Sequence, residues 1–144
     1  MAILGIHHIA IIASDFAHSR DFYVRVLGCT VLHHAYRKER DSHKLDLLLP
    51  GGGQLELFSF PSPPKRPTRP EACGLRHLAL RVEQLDDEVT RLASLGVACE
   101  PIRIDEWTGK RFTFLADPDG LPIELYEHPT MSAGNAPAPA RRQS

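Results

Sequence analysis

The stretch Gly5-Ile6-His7-His8-Ile9-Ala10-Ile11 returns as Gly74-Leu75-Arg76-His77-Leu78-Ala79-Leu80, with His77 standing 69 residues after His8. The same spacing, to within one residue, carries Leu27-Gly28 onto Leu95-Gly96 and Gln54-Leu55-Glu56-Leu57-Phe58 onto Pro122-Ile123-Glu124-Leu125-Tyr126. Three matches in the same order mark an internal duplication, and the duplication decides the fold. Each copy opens with apolar residues on alternate positions, the pattern of a strand with one buried face. His8, Ala10 and Ile12 share one face of the first, and His77, Ala79 and Arg81 the matching face of the second.

A helix is expected after each of these strands. Ser14 or Asp15 can cap the first, Phe16, Tyr23 and Val26 recur at helical spacing, and Gly28 suits the position just past the end. Leu85, Val89, Leu92 and Leu95, closed by Gly96, repeat the arrangement. Three short strands complete each copy: 30–36, 44–49 and 54–60, then 98–104, 111–115 and 122–126, the last preceded by the turn Asp117-Pro118-Asp119-Gly120. The reading is an α+β fold of two βαβββ modules, forming a curved eight-stranded mixed sheet with its helices outside and a concave face carrying His8 and His77. Residues 1–128 are read as a single domain: module 1 at 1–60, a connector at 61–70 holding five of the twelve prolines, and module 2 at 71–128. Residues 129–144, small, Pro-rich and without apolar periodicity, read as a disordered tail.

Composition narrows the function. Seventeen Lys and Arg balance eighteen Asp and Glu, so no broad field of one sign draws the chain to nucleic acid or anionic lipid. No apolar run approaches the ~20 residues of a membrane span, and no signal-peptide pattern is seen, so a cytoplasmic protein is expected. Cys29, Cys73 and Cys99 are odd in number and form no CxxC, which disfavours a disulfide framework or a thiolate zinc site and suits small buried residues.

The duplication also places His8 with Glu56 and His77 with Glu124 at equivalent positions. A single histidine or glutamate on a strand is ordinarily a packed or solvated side chain. Two imidazoles and two carboxylates repeated on one concave face instead suit a divalent ion such as Ni, Co, Zn or Mn. Unpaired charges gathered there would be costly.

These motifs, with Arg20-Asp21-Phe22-Tyr23-x-x-Val26-Leu27-Gly28 and Asp117-Pro118-Asp119-Gly120-x-x-Ile123-Glu124-Leu125, resemble the glyoxalase I branch of the vicinal oxygen chelate superfamily. The connector from Phe58 to His77 is similar to a glyoxalase-like bacterial subgroup. The resemblance implies the glyoxalase/bleomycin resistance/dihydroxybiphenyl dioxygenase fold, a homodimer, and a metal held by His8, Glu56, His77 and Glu124. It also implies that Glu56 and Glu124 double as catalytic bases in converting a 2-oxoaldehyde hemithioacetal to a 2-hydroxyacyl thioester. Branches that resemble extradiol dioxygenases or fosfomycin transferases lack a carboxylate where Glu56 stands.

Two departures bear on the substrate. Glyoxalase I commonly has an arginine four residues after its first histidine and an asparagine four after its first glutamate, whereas Ile12 and Phe60 stand here. An arginine appears instead at Arg81. Of the positive groups expected near the mouth, which include Lys44, Arg69, Arg76 and Arg103, the candidates for an anionic substrate are Arg81, Arg37, Lys110 and Arg111. Trp107, in a loop before Gly109, suits either a cover over the ligand or packing on its own loop. Two other readings stay open: a different metalloenzyme of the superfamily, an epimerase or transferase on another small anion, and a non-enzymic binding or resistance protein.

Overall fold

A computed structural model of the chain describes residues 2–128, so the expected tail at 129–144 lies outside the described residues. The element order is β1 (His8–Ala13), α1 (Phe16–Asp21), β2 (Thr30–Arg37), β3 (Ser42–Leu48), β4 (Gln54–Ser59), β5 (Leu78–Val82), α2 (Leu85–Ser94), β6 (Arg103–Ile104), β7 (Arg111–Ala116) and β8 (Pro122–Glu127). Strand order is β1-β4-β3-β2 in one sheet and β5-β8-β7-β6 in the other, so the modules share one topology. In each, the first strand runs parallel to the last and the other pairings are antiparallel.

The eight expected strands thus form two four-stranded sheets, with no ladder between them among the described residues. The modules meet through helices and turns. Tyr23, buried in the helical segment after α1, donates its hydroxyl to Asp117 at 2.8 Å. Ser14 donates its N–H and hydroxyl to Asp119, and Arg91 of α2 donates to the Val26 carbonyl at 2.7 Å. Tyr23, Leu45, Leu47, Leu55, Leu57, Leu85, Leu92, Ile123 and Leu125 belong to one core cluster that draws on both modules. Their alternation along the strands leaves Lys44, Asp46 and Glu56 on the opposite face of one sheet and Phe112, Phe114 and Glu124 on that of the other.

Local chemistry accounts for the element ends. Asp15 caps α1 by accepting from the His18 N–H at 3.0 Å, while Ser14 is engaged by Asp119. The helix then widens into a π-helical turn over Phe22–Val26, closed by Leu27 N–H to the Phe22 carbonyl, and ends at Gly28 with φ +75°. Gly96 ends α2 at φ +78°, the same left-handed position that only glycine takes without strain. The first turn of α2 carries Asp86, Asp87 and Glu88, favourable beside the positive end of the helix dipole.

Two expectations are corrected. The strand expected over 98–104 is ordered only at Arg103–Ile104. Pro101 has no N–H for a ladder, and the preceding residues hold to β7 through isolated bonds, Glu100 N–H to the Phe114 carbonyl and Thr113 Oγ1 to the Glu100 carbonyl. All three cysteines are free thiols, but only Cys29 is fully buried; Cys73 lies exposed before module 2.

Candidate metal centre

The parallel pairing of first and last strands builds each half of the site. Ala10 stands opposite Glu56 and Ala79 opposite Glu124, so each glutamate faces a residue too small to cover it. Each histidine sits two residues earlier on the same face and reaches the carboxylate diagonally. His8 Nε2 lies 3.5 Å from Glu56 Oε2, and His77 Nε2 lies 3.1 Å from Glu124 Oε2. The glutamates are 12% and 15% exposed, the histidines 37% and 29%.

These separations match an imidazole nitrogen and a carboxylate oxygen on one ion, since two bonds of about 2.1 Å at right angles leave their donor atoms roughly 3 Å apart. The Nδ1 of His77 is buried and without a hydrogen-bond partner, so that ring is not locked into a protein network. The donor chemistry fits a borderline divalent metal, and each module holds one His–Glu pair. The pairs lie on separate sheets, and among the described residues no three of His, Cys, Asp and Glu gather closely enough to hold an ion.

The surroundings of the two pairs differ. Glu124 stands opposite Phe114, whose ring meets His77 edge-on with centroids 5.2 Å apart. Arg103 lies over Phe112 and Phe114 at 5.0 and 5.6 Å, and its charge is met by Glu100 at 2.9 Å. These side chains, with Arg69 of the proline-rich connector, line a cavity of about 800 Å³ that opens onto His77 and Glu124. Such a volume suits a small organic ligand. Glu56, by contrast, shares a proton-rich contact with Lys44, whose Nζ lies 3.2 Å from Glu56 Oε1 and 2.5 Å from Asp46 Oδ1. The bond to Asp46 raises the lysine pKa against the opposing effect of desolvation.

The cationic residues singled out from sequence fall into three environments. Arg37 lies over the Phe58 ring at 5.2 Å and Phe60 at 5.9 Å, bonds Ser42 Oγ through Nη2, and keeps a buried Nε without a partner. Arg81 is exposed on the face of β5 shared with His77 and Ala79, opposite Tyr126 in register. Arg111 is engaged by Glu127, at 2.9 and 2.6 Å, and by Asp86 at 2.9 Å, while Lys110 is exposed in the turn before β7. Trp107 is 96% exposed and packs over neither cavity nor loop. Asp46 was not singled out, although the alternation Lys44-Leu45-Asp46-Leu47 places it on the face of Glu56.

Known proteins bear on this arrangement. The chain is 60% identical to the uncharacterized protein YaeR of Escherichia coli (strain K12) over 127 residues, 88% of this chain and 98% of that one. A glyoxalase family protein from Enterococcus faecalis superposes with a TM-score of 0.82 at 46% identity, covering 88% of this chain and all of the other. At 19% identity, a mutant of the fosfomycin resistance protein FosX from Listeria monocytogenes, complexed with Mn(II) and 1S,2S-dihydroxypropylphosphonic acid, superposes with a TM-score of 0.66 over 87% of this chain and 90% of that one. Residues 5–125 match the family profile that unites these folds. On the duplicated modules and this match together, the chain belongs to the Glyoxalase/Bleomycin resistance protein/Dioxygenase superfamily.

Proposed function

We propose that this protein is a metal-dependent, glyoxalase I-like lyase or isomerase that converts the hemithioacetal of a 2-oxoaldehyde, such as methylglyoxal, into a 2-hydroxyacyl thioester. The observation that carries the reading is the recurrence of one His–Glu contact, at 3.5 and 3.1 Å, in both modules. Four protein donors would leave a divalent ion able to take the two vicinal oxygens of such a substrate. The Mn(II) complex of the distant FosX fold is consistent with a divalent metal in this superfamily.

His8, Glu56, His77 and Glu124 would hold the ion. The bound metal supplies Lewis-acid stabilisation for negative charge building on the substrate's two oxygens. Glu124, opposite Phe114 and lining the cavity, would take the proton from the carbon bearing hydroxyl and sulfur and return it to the neighbouring carbonyl carbon. The step is an internal redox exchange between two carbons, so it consumes no other reactant. Phe114 stands beside that carboxylate, and Arg37 and Arg81 would offer charge to an anionic substituent.

The pairs meet, in this reading, across two copies of the chain, the first module of one against the second module of its partner. β1 and β5 are edge strands, and the segments entering them expose Ile3 and Leu4 at 98%, Ile6 at 84% and Leu75 at 56%. Open edges flanked by apolar side chains favour association with a second copy. Ile12 and Phe60, where glyoxalase I commonly holds glutathione, favour a thiol other than glutathione or a related anion as the natural substrate.

The deciding experiment is elemental analysis of purified protein, then reconstitution with Ni, Co, Mn and Zn in turn and assay with methylglyoxal plus glutathione or a smaller thiol. Thioester formation that depends on the metal supports the reading. Stoichiometric metal with no turnover of any hemithioacetal would redirect it to an epimerase or transferase, and absence of metal binding to a non-enzymic binding protein.

A further inference from the structure

The two modules part company beside their glutamates. The 68-residue step that takes Glu56 to Glu124 takes Lys44 to Phe112 and Asp46 to Phe114. The ladders agree: Asp46 is opposite Glu56 as Phe114 is opposite Glu124, and Lys44 is opposite Phe58 as Phe112 is opposite Tyr126. One glutamate therefore has an aromatic wall and the other an ionic one. We propose that Lys44, with Asp46 as its counter-charge, is a positioning residue for Glu56, pinning Oε1 so that Oε2 is turned towards His8 and the divalent metal. The inference rests on the metal site proposed above and deepens it.

Geometry and charge both favour this role. Glu56 is divided between two partners, Oε1 at 3.2 Å from Lys44 and Oε2 at 3.5 Å from His8 Nε2. Lys44, Asp46 and Glu56 are only 28%, 18% and 12% exposed, so their contacts are less screened than those of a surface pair. A bare ammonium beside a metal ligand would repel the incoming cation. Asp46, 2.5 Å from Nζ, cancels that charge, and what remains is orientation of the carboxylate. Partners that orient metal ligands in this way commonly change affinity by about 10- to 100-fold when removed. Among the described residues Glu124 has no such support, so the two carboxylates are not interchangeable: Glu56 is the fixed ligand and Glu124 the freer group.

Removing Lys44 alone would leave Asp46 and Glu56 as like charges on directly opposed positions, both able to turn to the ion, so the neutral pair must be removed together. The test is isothermal titration of metal-free protein with Mn(II), for the wild type, Lys44→Met/Asp46→Asn and Lys44→Arg, with the thermal midpoint of each metal-free protein recorded. The double variant should bind Mn(II) at least tenfold more weakly with its thermal midpoint largely kept, and Lys44→Arg should remain within about threefold of wild type, because charge and contact persist. Should the double variant not fold, Asp46→Asn alone reads the counter-charge: it leaves the lysine charge uncompensated beside Glu56 and should weaken Mn(II) at least tenfold. Affinity within twofold of wild type, in the double variant or in Asp46→Asn, overturns the role of Lys44 while leaving the metal site standing. A wild type that takes up no Mn(II), Ni, Co or Zn overturns the metal reading itself.

Discussion

Tyr23 donates its buried hydroxyl to Asp117 at 2.8 Å, and this single bond links the first helical segment of one module to the turn before the last strand of the other. The same carboxylate accepts through its second oxygen from the N–H groups of Asp119 and Leu121, at 2.9 and 2.8 Å. Burial and the neighbouring carboxylate push the phenol pKa far above its usual value, so Tyr23 remains a donor throughout the ordinary pH range. Tyr23→Phe keeps the ring and removes the donor. Its expected cost is about 1–3 kcal/mol, because the buried carboxylate oxygen loses its partner, read as a lower urea midpoint with an unchanged slope. An unchanged midpoint would show that this bond adds nothing to the apolar packing and to the Ser14 and Arg91 bonds that also join the modules.

The proposal that two copies of the chain share each metal site makes a complementation prediction. His8→Ala and His77→Ala each remove a donor from a half-exposed position and should lose most bound metal while keeping their secondary structure. Co-refolding the two variants in equal amounts should restore binding in about a quarter of the sites, since mixed dimers form about half of the population and each has one intact site. A site confined to one chain would give no restoration. Elemental analysis across a mixing series reads the difference.

Glu127 makes a prediction in pH. Its pKa is lowered to about 2, chiefly by the hydrogen bonds from Arg111 and further by the Leu85 N–H at the start of α2. A carboxyl with a depressed folded pKa binds protons more readily in the unfolded chain. Its stabilisation is therefore fully present above the unfolded value of 4.5 and is lost as pH falls towards about 2. Glu127→Gln should flatten the fall in stability between pH 5 and about 2 relative to wild type. Parallel acid-unfolding curves for the two proteins would sink this account.

The extent to which the sequence was legible follows from the same residues. Duplication exposed the modules, the His–Glu pairs and the glycines that end both helices, because each depends on spacing along the chain. Arg111 was read as a substrate contact for its charge, whereas its partners Glu127 and Asp86 lie on a neighbouring strand and on α2, a meeting set by packing. The short β6 has a local cause: a strand is expected over 98–104, and Pro101, with no N–H to give, limits the ladder to Arg103–Ile104. Asp46 went unremarked because a lone carboxylate on a strand carries no signal until the register sets it opposite Glu56.

The last prediction concerns substrate charge, and it separates Arg37 from Arg81. Arg37 lies stacked on Phe58 and Phe60, a position that covers its face and leaves in-plane N–H groups for an oxyanion. It donates to Ser42 Oγ, and its Nε, without a partner among the described residues, is a cost that an arriving carboxylate would relieve through a small shift of the fork. Arg81 stands exposed on the His77 face. Comparing a hemithioacetal made from mercaptoacetate with one made from mercaptoethanol varies only the anionic end. Arg37→Met should lower kcat/KM for the charged adduct by roughly tenfold, the loss of a charge-assisted bond of ~1.5–3 kcal/mol, and leave the neutral adduct within about twofold. Arg81→Met should act in the same sense but more weakly, because water screens an exposed guanidinium. Equal losses on both adducts would mean that Arg37 supports the fold of the Phe58 face and takes no part in choosing the substrate.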